Sequence, residues 1–179
     1  MKAGKRLASL AHLLLIFREH EYRPEHFDIN GVILELQTFI SRILGPQVRF
    51  STSLQSGILP VNTDLSHIKR VLLTLAFEMR AVMPDEGQLT ISTDSLLIPD
   101  GSAEIANLAP GPYVRIAVRS SGQIPSTIFE SITAASGSGV KTALRDMSLS
   151  EIVEICGGHL FQCSKTGQLS AIRIYLPAG

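Results

Sequence analysis

Apolar residues in the first part of the chain recur at three- and four-residue steps, the spacing that predicts amphipathic helices. The first such segment covers about residues 5–21, and Pro24 bars its continuation. Asp28 is a plausible N-cap for a second helix, which should end at Gly45-Pro46. The apolar stripe of this helix consists of Ile29, Val32, Ile33, Leu36, Phe39, Ile40 and Ile43. The pattern therefore predicts two consecutive helices.

Two further helices are predicted in the rest of the chain. The third begins after Thr63 or Asp64, either of which could serve as its N-cap. Its apolar stripe consists of Ile68, Val71, Leu72, Leu75 and Met79. The fourth covers about residues 146–156 and should stop at Gly157-Gly158. Residues 131–142, which precede it, are small and polar and predict a mobile loop.

Alternating apolar and polar residues predict five strands. They lie at residues 48–53, 88–93, 113–119, 159–163 and 171–176. Residues 97–112 contain two turn-rich clusters, which predict a hairpin excursion or a loose loop. Because helices and strands arrive in blocks, with a hairpin near the C-terminus, the pattern predicts an α+β sandwich with helices on one face of a mixed sheet.

Composition fits one folded domain with a short helical appendage. Of the 179 residues, 45% are hydrophobic and 18% are charged, which is enough apolar material for a sizeable core. Sixteen basic residues balance sixteen acidic residues, so the net charge does not favour binding to nucleic acid or to an anionic membrane. No apolar run approaches the roughly 20 residues of a membrane span.

The chemistry-bearing residues exclude several classes of site. Cys156 and Cys163 fit either free thiols or one disulfide, and free buried thiols are favoured. No spacing of His, Cys and carboxylate residues predicts a metal centre, and no P-loop or nucleophile-elbow motif is present. The basic N-terminus precedes an apolar segment without a small-residue cleavage site, so a cytoplasmic location is expected.

Five sequence segments, taken in order, resemble segments of a known protein family. They are residues 71–84 (VLLTLAFEMRAVMP), 87–91 (GQLTI), 111–118 (GPYVRIAV), 152–160 (IVEICGGHL) and 173–177 (RIYLP). Their order and spacing resemble the catalytic, ATP-binding domain of two-component sensor histidine kinases (HATPase), a member of the GHKL superfamily. The resemblance implies the Bergerat ATPase fold, a two-layer α/β sandwich, over residues 23–179.

Residues 1–22 resemble the end of the dimerisation helix that precedes this domain in such kinases. The resemblance implies that a phospho-accepting histidine would lie upstream of this segment, and that the chain is a fragment of a longer protein. His12 and His20 are therefore interpreted as surface or helix-packing residues. The leucine stripe of this helix is compatible with a homodimer.

The resemblance assigns the third helix a role in magnesium binding, and the matching positions are altered here. The family's magnesium-binding asparagine corresponds to Glu78, a weak candidate for Mg²⁺ that is more simply explained as a solvated or salt-bridged glutamate. The asparagine one turn earlier corresponds to Thr74, and a frequent aspartate corresponds to Ala81. Little of a metal-handling surface would remain.

The two glycine-rich turns of the family are altered as well. The adenine-reading aspartate corresponds to Ser120, whose hydroxyl is a shorter and neutral acceptor, whereas Gly122 matches the first glycine of that turn. The second turn corresponds to a segment with few glycines, which includes Lys141, Thr142, Ala143 and Arg145. Side chains in this segment would occupy space that a triphosphate needs.

Three functional hypotheses follow from the resemblance. The first is a degenerate histidine kinase-like domain without catalytic residues and without a cofactor, which acts on a response regulator or partner kinase as an adaptor, regulatory or phosphotransfer module. The second is a divergent but active kinase that binds Mg-ATP through Glu78 and Ser120. The third is a pocket that binds another nucleotide-like anion, with Lys141 and Arg145 on its phosphate.

Overall fold

A computed structural model describes most of the chain. The described residues are 22–83, 85–100, 108–121, 124, 130, 133, 147–165 and 168–179. The predicted first helix and, apart from Thr133, the predicted loop at 131–142 lie outside them, so neither prediction is tested. Within the part of the chain that is described, no helix is long and apolar enough to cross a membrane.

Ten elements are described in chain order. They are β1 Glu25–Phe27, α1 Ile29–Leu44, β2 Val48–Leu54, β3 Val61–Thr63, α2 Leu65–Ala81, β4 Gly87–Ile98, β5 Gly111–Ser120, α3 Leu149–Ile155, β6 His159–Lys165 and β7 Gln168–Pro177. β1 and β3 form a small antiparallel sheet. The main sheet has the order β2-β4-β5-β7-β6, in which β2 is parallel to β4 and the other pairs are antiparallel.

The main core lies between one face of this sheet and the helices. Alternate residues of β5 and β7, such as Ile116 and Ile174, pack in the same buried cluster as the stripes of α1 and α2. A separate small cluster of Ile98, Tyr113 and Tyr175 belongs to the other sheet face. The predicted fold class is therefore confirmed: a mixed sheet with helices on one face.

Both predicted aspartate caps are confirmed. Asp28 accepts a hydrogen bond from the backbone N–H of Asn30, which satisfies one of the free donors at the start of α1. Asp64, not Thr63, caps α2, because its carboxylate accepts from the N–H groups of Ser66 and His67. Gly45, with a φ of 77°, ends α1 as predicted.

The start of α3 differs from the prediction, which placed a helix over about 146–156. Ser148 is the N-cap, and Ser148 with Glu151 forms a capping box in which each residue bonds the backbone of the other. The helix therefore begins at Leu149 and ends at Ile155. Gly158 follows, and its Cα lies close against β7.

The strands are longer than predicted, and two were missed. Residues 97, 98, 111 and 112 were predicted as loop or hairpin, but they extend the antiparallel pair of β4 and β5. The alternative of a hairpin excursion is thus the correct one for these positions. β1 and β3 have three residues each, too few for an alternating pattern to stand out.

Candidate functional site

The three altered positions of the third predicted helix share one face of α2. Thr74, Glu78 and Ala81 are spaced by four and three residues, so they follow one another along the helix surface. Thr74 and Glu78 are half-buried and Ala81 is exposed, whereas the opposite face of the helix lies in the core. Phe77 stands beside them with 46% of its surface exposed. The structure therefore brings these positions together.

This face offers few ligands for a metal. Its side chains carry one carboxylate, at Glu78, and one hydroxyl, at Thr74. Among the described residues, no group of three or more His, Cys, Asp or Glu side chains is arranged to hold a metal ion. Mg²⁺ is bound through several oxygens, usually one or two carboxylates together with water and phosphate. In the described part of the site, Glu78 alone supplies a carboxylate.

Ser120 is the last residue of β5, directly opposite Leu89 of β4. The chain is held in place immediately after it. The Ser121 N–H donates to the carbonyl oxygen of Gln88 over 2.9 Å, and the Ser121 hydroxyl accepts from the Gln88 N–H over 2.8 Å. These two bonds extend the pairing with β4 by one residue beyond the end of β5. They fix the second residue of the predicted adenine turn against the sheet.

A cavity of about 940 Å³ lies beside this anchored turn. Val82 and Met83 border it from the C-terminal end of α2, and Ser121 borders it from the turn. Thr74, Glu78, Ala81 and Ser120 do not line it. No motif in the sequence predicted this cavity, whose walls come from short connections between elements and from residues of β2 and β4.

The remaining predicted site residues lie outside the described residues. They are Gly122, Lys141, Thr142, Ala143 and Arg145. The assignment of Gly122 to the adenine turn, and of the other four residues to the second, glycine-poor turn, stays a prediction from the sequence.

A cluster of buried polar groups surrounds the N-terminus of α2, and sequence reasoning identified only its cap. Asp64 and His67 are each about 2% exposed, and Asp64 Oδ1 lies 3.3 Å from His67 Nδ1. The other Asp64 oxygen, Oδ2, accepts the Arg23 N–H over 2.8 Å. The entering chain is therefore tied to the same carboxylate that caps the helix. The only sequence signal for this buried polar cluster was the spacing Asp-x-x-His at the start of a helix.

Tyr22, which is 42% exposed, and the buried Cys156 flank this polar cluster. The Tyr22 ring lies 5.6 Å from the His67 ring, and its hydroxyl is 3.3 Å from the Thr63 hydroxyl oxygen. Burial raises the pKa of the Cys156 thiol to about 11, so the thiol is neutral and unreactive at physiological pH. Both cysteines are free, as predicted, although Cys163 is only partly buried.

Comparison with known proteins finds that the chain is similar to part of a sensor kinase. No protein-family model matches it. It is 29% identical, over 97% of its length, to the sensor kinase CckA of Brucella abortus (strain 2308), and it spans 19% of that protein. The whole kinase is thus about five times longer than the matched region.

Solved structures share the fold at low sequence identity. A mycobacterial sensor histidine kinase, MprB, superposes with a TM-score of 0.58 at 18% identity, over 87% of this chain and 97% of that one. Histidine kinase ThkA in complex with the response regulator protein TrrA gives a TM-score of 0.57 at 18% identity, over 99% of this chain and 48% of that one. The predicted resemblance to the catalytic domain of sensor histidine kinases is confirmed.

Proposed function

We propose that this chain is a histidine kinase-like domain of a two-component signalling protein that does not bind Mg-ATP in the usual way and acts through protein–protein contacts. The observation that carries the proposal is the shared face of α2, where Thr74, Glu78 and Ala81 present one carboxylate to the surface. A kinase of this kind depends on metal ions to neutralise charge on the transferred phosphate.

The chemistry of the α2 face supports the loss of magnesium binding. Ala81 is exposed and offers a methyl group where the resemblance expects a carboxylate. Phe77, one residue before Glu78, places a half-exposed aromatic ring on the same surface. An apolar ring and a methyl group cannot replace oxygen ligands. The residues present therefore do not fit a family-type Mg-ATP site.

The end of β5 supports the loss of adenine recognition. An ionised aspartate accepts a charge-assisted hydrogen bond, which is roughly twice as strong as a neutral one. Ser120 offers a neutral hydroxyl on a side chain one atom shorter. Because the two bonds between Ser121 and Gln88 fix the following residue, the backbone at this point is not free to move toward a base.

With nucleotide binding lost, an intact scaffold can still act by binding a protein partner. The structure of ThkA holds a response regulator, and we extend that partner class to this chain. The exposed side chain of Phe77 gives the α2 face the aromatic character that is enriched in protein interfaces. A partner kinase is the other candidate. Pairing of two copies through residues 1–22 stays a prediction from the sequence.

Calorimetric titration of the chain with a non-hydrolysable ATP analogue and Mg²⁺ tests this proposal. We expect no saturable heat up to millimolar nucleotide, because the described pocket positions supply too few polar contacts. Micromolar binding that ADP competes away would contradict the proposal and support the divergent active kinase. Loss of such binding in Glu78→Ala would then assign the metal to that residue.

Restoring the adenine-reading carboxylate alone is not expected to restore binding. In the variant Ser120→Asp, the titration should remain flat, because the α2 face still lacks its metal ligands. Ser120→Ala serves as the matched control for folding, followed by circular dichroism. Tight Mg-dependent binding of the ATP analogue by Ser120→Asp would show that the loss of nucleotide binding is due to position 120 alone.

A further inference from the structure

The face of the sheet that points away from the helices carries a second cavity, of about 620 Å³. Leu97, Phe161 and Tyr175 contribute apolar and aromatic walls, and Arg115 and Arg173 contribute positive charge. Its lining includes no residue of α2 and none of the predicted nucleotide-site residues that the structure describes. We call it the outer-face cavity. It is separate from the site discussed above.

The two arginines of the outer-face cavity differ in their partners. Arg115 forms a two-pronged ion pair with Asp94, with distances of 2.9 and 2.6 Å. The hydrogen bond to Asp94 raises the pKa of Arg115. Its charge is therefore already neutralised within the protein.

Among the described residues, no carboxylate forms an ion pair with Arg173. Its Nε is buried and has no hydrogen-bond partner among the described residues. Its neighbours across the sheet are Ala117 on β5 and Phe161 on β6, neither of which has a side-chain acceptor. A buried Nε donor without an acceptor is unfavourable. An anion on the cavity side of this partly exposed guanidinium offsets its charge through a charge-assisted bond.

The rest of the cavity is apolar enough to hold an organic group beside that charge. Leu97 is 72% exposed, the highest value among the large exposed apolar residues that the structure describes. Phe161 packs edge-on against Tyr175 at a centroid distance of 5.5 Å, which gives the aromatic wall a fixed shape. The cavity volume lies within the range of small-molecule sites, roughly 300–1,000 Å³.

We propose that the outer-face cavity binds a small amphipathic organic anion, with its anionic group on Arg173 and its apolar body against Phe161 and Leu97. Charge complementarity determines the sign of the ligand, because Arg173 is the cavity's cation without a described counter-ion. The apolar walls exclude a bare inorganic anion as the best fit. This site is independent of whether the α2 face binds ATP.

Fluorescence titration with 8-anilinonaphthalene-1-sulfonate, an aromatic anion, tests the proposal. N-phenyl-1-naphthylamine is the matched probe, since it has the same ring system without the sulfonate. In Arg173→Met, the affinity for the anion should fall about tenfold, the range expected for one charge-assisted hydrogen bond. The affinity for the neutral amine should stay within about twofold. Equal affinity of wild type and variant for the anion would overturn the proposal.

Arg119→Met is the control for a general charge effect. Arg119 is exposed, bonds the Ser92 hydroxyl over 3.2 Å and does not line the cavity. Its removal should leave anion binding unchanged, and a loss equal to that in Arg173→Met would overturn the proposal.

A second measurement does not depend on the folding of any variant. Titration of the wild-type chain with the same anion, followed by amide chemical shifts, should perturb Phe161, Arg173 and Leu97. Perturbations confined to the helices would contradict a site on the outer face.

Discussion

Replacing Asp64 by alanine is expected to lower the free energy of unfolding by about 3 kcal/mol, more than a helix cap alone accounts for. Loss of the cap leaves the N–H groups of Ser66 and His67 without their acceptor. The same change removes the acceptor of the Arg23 N–H. Because Asp64 is buried, water cannot easily replace it. Urea unfolding followed by circular dichroism measures the effect.

Asp28→Ala is the matched control for this prediction. Asp28 caps α1 in the same way, but its bond to the Asn30 N–H is exposed to solvent. Its loss should cost about 1 kcal/mol, the usual value for an N-cap. If the two variants lose the same stability, the buried polar cluster contributes nothing beyond the cap, and our account of it is wrong.

Gly158→Ala is the second large effect that we expect, a destabilisation of about 3 kcal/mol, the upper end for overpacking. An added Cβ would lie 2.4 Å from the carbonyl oxygen of Tyr175 and 2.8 Å from Leu176 Cδ2. The first contact is with the backbone of β7, a strand paired on both sides, so it cannot move without disturbing the sheet. Thermal unfolding should show a clearly lower midpoint.

Gly31→Ala provides the opposite case. Nothing lies within 4 Å of a Cβ at Gly31, which is exposed on α1. The substitution should raise stability by up to about 1 kcal/mol through helix propensity. A Gly158→Ala protein as stable as wild type would contradict the close approach of α3's C-terminal turn to the sheet.

The sequence predicted the fold where one periodic pattern ran over many residues. The predicted stripe of α2 is buried, and so is that of α1 except for Phe39 and Ile43, which are partly buried. Asp28 is the cap expected from its side-chain chemistry. The short strands β1 and β3 were missed because three residues show no period. Pro112 suggested a turn, but it lies in β5. Proline lacks an N–H donor, yet its carbonyl oxygen can still accept a hydrogen bond, here from the Ala178 N–H.

The sequence predicted which positions along the chain belong to the candidate site, but not which residues contact one another in space. Thr74, Glu78 and Ala81 lie on one face of α2 because they are spaced by four and three residues, whereas their role in a site stays a prediction. The partnerless Nε of Arg173 was not predictable, because it depends on which residues lie opposite on β5 and β6. Sheet register joins residues far apart in sequence, and no local pattern reveals it.

We propose a histidine kinase-like scaffold that lacks conventional ATP binding. Titration of the isotope-labelled chain with Mg²⁺ and a non-hydrolysable ATP analogue, followed by amide chemical shifts, tests it residue by residue. We predict no saturable shift at Glu78, Ser120 or Ser121 at millimolar nucleotide. Saturable shifts at both Glu78 and Ser120 that require Mg²⁺ would contradict the claim and establish a working nucleotide pocket.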